Sequence, residues 1–201
     1  MSSDNPSGAE NQQERLDSST WLQRISPDLG HYVAGFVDGE GSFNVPIRRA
    51  TGRRLPWRVS LSFNVSQIGR EAPELLARTF EAGTIRGRPD GVFYFEITTP
   101  ELLIERVFPF FECFPLRGPK AGDLAIFREI TALVQSGHHR TPEGIIDVLA
   151  LRGPMNRGGK RRRSDDEIIA ALTSRESSEA IRGAPSMKLE GRRDGPRLIA
   201  M

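Results

Sequence analysis

Long hydrophobic runs are missing from this sequence of 201 residues: no apolar stretch approaches 18 residues, so no membrane span is expected. Cysteine is nearly absent, and the one present, Cys113, can build neither an internal disulfide nor a cysteine-based zinc site. No basic segment followed by an apolar run opens the chain, which argues against a secretory signal, and its acidic start argues against an organelle transit peptide. These absences point to an intracellular, cytoplasmic, disulfide-free protein with no membrane partner. Neither sign of charge prevails: 28 Lys and Arg face 26 Asp and Glu, a net +2, which excludes a uniformly basic chain of the histone kind. Apolar residues make up 37%, below the usual globular share, so one domain with unpacked ends is expected.

The charge is unevenly spread. Residues 1–30 carry five acids and two arginines, whereas 48–90 carry nine arginines (48, 49, 53, 54, 58, 70, 78, 86 and 88) and four acids. Residues 152–163 add six basic residues and no acid. Basic charge confined to particular elements is compatible with a surface that meets a polyanion, or with arginines decorating solvated strands.

Residues 1–20 are polar and without hydrophobic period, which reads as a disordered leader. Ser26-Pro27-Asp28 then supplies a cap, a proline suited to the first helical position and an acid for the positive dipole end. A helix over 27–38 follows, stopped by Gly39 and Gly41. Strict two-residue alternation over 43–48 and 58–66 predicts a hairpin through a turn at 50–54. Leu75, Leu76 and Phe80 set a helix over 71–81; Pro89-Asp90-Gly91 turns a second hairpin, 84–88 with 92–98. Further helices are expected from Thr99 to about 107, over 119–136, and from a Thr141 cap to about 151. The order implies an α+β fold whose four-stranded antiparallel sheet is covered by helices on one face. This domain spans 21–151; residues 152–201 are read as a basic linker, a short helix to about Leu172 and an unpacked tail.

On the uncovered face the alternation places Asn44, Arg48, Arg58, Ser60, Ser62, Asn64, Arg86 and Arg88. A merely solvated face would favour Lys and Glu. Arginine, asparagine and serine are what base edges in a DNA major groove require, since Arg pairs with guanine and Asn with adenine. His138-His139 are adjacent and diverge, making a poor metal clamp. The run Arg157–Arg163 could track phosphates beyond the sheet or be a solvated linker; within a DNA-binding protein, phosphate contact is the favoured reading.

The segment His31-Tyr32-Val33-Ala34-Gly35-Phe36-Val37-Asp38-Gly39-Glu40-Gly41-Ser42-Phe43 resembles the LAGLIDADG homing endonucleases, and the resemblance covers about 27–151 through the order of elements. Gly35 and Gly39, four apart on one helix face and joined by Ala34, would let two such helices approach closely. Val33, Phe36 and Val37 would point into their own core. The resemblance implies that Glu40 is the catalytic metal-binding acid, with the Gly39 carbonyl joining it, and that Asp38 belongs to the helix end and interface. It implies a water-ordering role for Gln67 and a cation at Lys120, or failing that Arg117. One motif copy supplies one helix and one acid, so a homodimer joined through Ala34, Gly35, Asp38 and Gly39 is expected. The implied activity is Mg²⁺-dependent (or Mn²⁺-dependent) hydrolysis of both strands of double-stranded DNA at a long, near-palindromic site, in intron or intein mobility. Two other roles fit the same scaffold: an RNA maturase acting on intron RNA, and a DNA-binding regulator without catalysis.

Overall fold

A computed structural model of the chain describes residues 20–50, 55–158 and 164–183. The leader before residue 20, the turn residues 51–54, most of the basic run 157–163 and the tail beyond 183 lie outside the described residues. The described residues form two units, one within Met1–Arg162 and one within Arg163–Met201.

In the first unit, residues 20–23 already form a helical turn with Trp21 buried, under the guanidinium of Arg106 at 5.0 Å. Helix α1 spans Pro27–Glu40; the Ser26 hydroxyl accepts the Leu29 N–H at 3.3 Å, as the cap signal predicts. The helix continues through Gly39 and ends at Glu40, not at 38. Its stop is Gly41, already extended, whose N–H still reaches the Val37 carbonyl. A Cβ at Gly41 would lie 2.6 Å from Val37 Cγ1, so only glycine lets the strand leave the helix this abruptly.

Strands β1 (Gly41–Asn44), β4 (Ser62–Ile68), β5 (Thr84–Gly87) and β6 (Val92–Ile97) make the antiparallel sheet, in the order β1-β4-β6-β5. The first hairpin is longer than this sheet and is interrupted. Strands β2 (Ile47–Arg49) and β3 (Trp57–Val59) pair separately, yet Asn44↔Ser62 and Ile47↔Val59 keep one register. Between them lies Pro46, which has no N–H to give the ladder; its carbonyl still accepts from Ser60 at 3.0 Å. The expected continuous strands 43–48 and 58–66 are therefore each split, as a proline inside the alternation dictates.

Helix α2 (Glu71–Phe80) covers the sheet, and Glu81 ends it in a left-handed conformation at φ 47°. Helix α3 (Pro100–Leu102) passes through a π-helical turn, Leu103–Val107, into α4 (Phe108–Cys113), beyond the expected end near 107. Helices α5 (Lys120–Gln135) and α6 (Pro142–Arg152) follow, separated by the 3₁₀ turn His138–Arg140. Nine of the eleven phenylalanines are buried between sheet and helices, with Phe43 stacked on Phe63 at 5.2 Å. The covered face of the sheet is thus fixed by Phe43, Phe63, Val65, Phe95 and Ile97, each no more than 1% exposed.

The expected boundary at 151 falls short. Arg152 and Met155 are buried, and a 3₁₀ turn, Met155–Gly158, continues the packed unit. β1 is an edge strand, and its outward carbonyls need donors. Asn156 Nδ2 donates to the Phe43 carbonyl at 2.9 Å and Arg152 Nη1 to that of Val45 at 2.8 Å. In the second unit, helix α7 spans Asp165–Gly183, with Ser164 accepting the Glu167 N–H, so the helix continues well past Leu172.

Candidate active site and nucleic-acid face

The last turn of α1 carries Asp38, Gly39 and Glu40, and three elements converge on it. Asp38 Oδ2 accepts the backbone N–H groups of Arg117 and Gly118, at 2.8 and 2.7 Å. That clamp needs a glycine, because a Cβ on Gly118 would sit 2.9 Å from Asp38 Oδ1. Two residues on, at the start of α5, the Lys120 ammonium donates to the carbonyls of Asp38 at 2.9 Å and Gly39 at 2.7 Å. A cation on the final carbonyls of a helix sits at its negative pole, where it is favoured. Lys120, rather than the side chain of Arg117, is therefore the cation that the fold delivers; Arg117 contributes its backbone.

Glu40 is exposed and takes no hydrogen bond or ion pair among the described residues. Gln67 stands two residues past the Gly41↔Val65 pair, at the end of β4 beside the helix terminus, and its Oε1 accepts the neighbouring Ile68 N–H at 3.2 Å. The expected trio thus shares one end of the sheet.

The outer face of α1 is open. Among the described residues a Cβ at Gly35 or at Gly39 would meet nothing within 4 Å, and Tyr32, 59% exposed, stacks on Phe36 at 6.3 Å. Phe36 therefore belongs to the open face and not to the core, unlike Val33 and Val37. Ala34 is 4% exposed and packs inside its own unit, so it does not line that face. Asp38, half-buried and clamped to 117–118, serves its own chain as well. The sequence placed both at an interface because helical spacing alone does not say how far the apolar arc extends.

Across the uncovered sheet face the expected residues do appear, with different degrees of freedom. Arg48, Arg58 and Arg86 are exposed and without ion-pair partners among the described residues. Arg88 is held by the Tyr94 hydroxyl at 2.8 Å and by Asp90 at 2.8 Å, which raises its pKa above the usual arginine value, the tyrosine hydrogen bond contributing most. Ser62 is buried: its hydroxyl accepts from Asn64 Nδ2 at 3.1 Å and donates to Glu96 at 2.7 Å. Asn44 Nδ2 donates to the Ser42 hydroxyl at 2.9 Å, and Ser60 is half-exposed. Glu96 and Tyr94 were missed, although the alternation that buries Phe95 and Ile97 already turned them outward. His138 pairs with Asp147 at 2.7 Å, which gives it a structural partner.

The family profile described as LAGLIDADG endonuclease matches residues 33–131, from the α1 motif through α5. Those residues, 33–131, belong to that family. The chain is 30% identical over 129 residues to the probable intron-encoded endonuclease 3 of Neurospora crassa, covering 62% of this chain and 24% of that protein. The chain thus spans about a quarter of that relative's length. Among solved structures, the homing endonuclease I-TnaI superposes with a TM-score of 0.60 at 29% identity, covering 77% of this chain and 97% of that one. The LAGLIDADG homing endonuclease I-SmaMI bound to cleaved DNA gives 0.63 at 28% identity, covering 72% of this chain and 48% of that one. I-SmaMI has also been solved on an uncleaved DNA target in the presence of calcium ions.

The chemistry of the donors bears on a metal. Glu40 and the Gly39 carbonyl are hard oxygen donors, which suit Mg²⁺ or Mn²⁺. Among the described residues no three His, Cys, Asp or Glu side chains group together. No described helix is long and apolar enough to cross a membrane.

Proposed function

We propose that the protein is a site-specific endonuclease that hydrolyses both strands of duplex DNA as a homodimer. The single observation that carries the reading is the α1 terminus: a Glu40 carboxylate with no hydrogen-bond or ion-pair partner among the described residues, on a helix end whose last carbonyls hold the Lys120 ammonium and whose glycine face meets none of the described residues. A second copy laid on that face would bring two Glu40 carboxylates and two Gly39 carbonyls together and complete the partial oxygen-donor set. The coverage supports the same stoichiometry, since this one-motif chain matches nearly all of I-TnaI and about half of I-SmaMI.

The residues then divide the work. Glu40 and the Gly39 carbonyl would hold a divalent cation. When bound, such an ion supplies a polarised water and offsets charge on the phosphate. Lys120 places a positive charge beside the reacting phosphate and can stabilise the oxyanion that develops there. The amide of Gln67 orients solvent at the end of β4. Arg48, Arg58 and Arg86 meet phosphates or base edges, whereas Ser62 acts indirectly by fixing Asn64 and Glu96. DNA-bound structures in the family favour DNA over intron RNA as the partner.

The test is cleavage of a plasmid carrying the sequence that flanks the gene's own insertion site. Wild-type protein should linearise it with Mg²⁺ and not with EDTA, and Glu40→Gln should bind without cutting. Full cutting by that variant would remove Glu40 from the mechanism.

A further inference from the structure

A cleft of about 720 Å³ opens beside the outer half of the first hairpin, away from Glu40. Its lining includes Arg48 and Arg58 from the hairpin, His139 and Arg140 from the 3₁₀ turn between α5 and α6, and Glu96 from β6. Arg48 and Arg58 face each other directly across β2 and β3. Like charges in opposed positions destabilise a strand pair, yet neither arginine has an ion-pair partner among the described residues, and nor does Arg140. The one lining carboxylate, Glu96, is already engaged by Ser62. The hydroxyl is neutral and leaves the carboxylate its charge, so the cleft gathers three guanidinium groups against a single carboxylate, an excess of positive charge.

The turn that carries Arg140 is built rigidly. His138 is tied to Asp147, and the Thr141 hydroxyl donates to the His138 carbonyl at 3.0 Å while accepting the Gly144 N–H at 3.0 Å. Gly144 lies so close to that carbonyl that a Cβ there would overlap it. Such a turn fixes the backbone from which Arg140 projects.

Resting on the DNA reading above, we infer that this cleft grips the phosphodiester backbone of duplex DNA beyond the four-stranded sheet, with Arg140 reaching it from the helical layer. From Gly41 to Arg48 the hairpin advances roughly 23 Å, or about seven base-pair steps, so the grip falls at the outer part of each half-site. The contact is to backbone and carries no sequence code.

Because phosphate contacts are sequence-independent, binding of the full chain to an arbitrary duplex of about 30 base pairs tests the assignment, read by fluorescence anisotropy across a salt titration. Arg140→Gln should lower the slope of log affinity against log salt by about 0.9 and weaken binding roughly three- to tenfold near physiological salt. Arg140→Lys should restore the slope, since it keeps the charge. Arg24→Gln, which removes an arginine paired with Glu81 outside the cleft, should leave the slope unchanged. A wild-type slope for Arg140→Gln overturns the inference, as does an equal effect of Arg24→Gln. Duplex RNA bound as tightly, with the same dependence on Arg140, overturns the assignment to DNA. Cutting is scored separately: failure of wild-type protein to cut with Mg²⁺ counts against the nuclease reading and leaves the salt slope standing. Normal cutting with an unmoved slope removes the cleft alone.

Discussion

Replacing Asp38 separates an internal clamp from an intersubunit contact. In Asp38→Ala two backbone donors, the N–H groups of Arg117 and Gly118, lose a carboxylate held at 2.8 and 2.7 Å. A hydrogen bond to a charged group contributes about 1.5–3 kcal/mol. Because Arg117 is exposed and its N–H can turn to water, the expected loss is about 2–4 kcal/mol and not the full sum. In Asp38→Asn one oxygen can keep both donors, and the new NH₂ replaces Oδ1, which is buried without a hydrogen-bond partner. That variant should lose only about 1 kcal/mol, the difference between a charged and a neutral acceptor. Urea unfolding at two protein concentrations gives the values and separates chain stability from assembly. Catalysis should follow the clamp: with 117–118 released, Lys120 loses its fixed approach to the α1 carbonyls, and Asp38→Ala should cut more slowly per bound DNA. An Asp38→Ala protein as stable as wild type at both concentrations would refute the clamp. A loss seen only on dilution would return Asp38 to the interface.

The open helix face and the cleft histidine give two more predictions. Gly35→Leu should leave the isolated chain folded, because a Cβ there meets none of the described residues within 4 Å, but should abolish dimers by light scattering. An unchanged dimer would place the contact elsewhere. Burial lowers the pKa of His139 from 6.5, and the Arg140 charge lowers it further, against the backbone carbonyls of Leu133 and Val134 that raise it. The folded state therefore binds this proton less readily than the unfolded chain. Stability should hold above about pH 6.5 and decline as pH falls from there towards the lower folded value. His139→Asn should flatten that decline, measured as unfolding midpoint against pH; an equal decline in the variant assigns it to other groups.

Much of this architecture could be read from alternation and caps. Ser26-Pro27-Asp28 and Thr141-Pro142-Glu143 gave helix starts that the structure keeps, since both depend on local hydrogen bonds. The sheet face was legible because Val59, Leu61, Phe63 and Val65 alternate without a break. What failed was non-local. Nothing near Arg152 or Asn156 says that they supply donors to the edge of β1, more than a hundred residues earlier. Lys120 could be placed near the motif only through the family resemblance, since its partners, the Asp38 and Gly39 carbonyls, are more than eighty residues away. The buried state of Ala34 and Ser62 likewise depends on what the rest of the chain lays over them, which periodicity does not contain.

Glu40 sits where helix physics disfavours it. The last turn of α1 holds two acids and no base, at the negative end of the helix dipole. Asp38 is compensated by two backbone donors, and the final carbonyls by Lys120, so most of that unfavourable charge is neutralised within the chain. Glu40 is not. An acid at a helix C-terminus costs about 0.3–1 kcal/mol at low ionic strength, and no contact among the described residues returns it. Replacing it with glutamine should therefore raise the stability of the isolated chain by about that amount while abolishing cleavage, with the gain shrinking in high salt. That opposition is what a group held for a cation outside the chain would produce. If Glu40→Gln instead destabilises the protein, Glu40 has a structural partner and its freedom at the helix end is not available for chemistry.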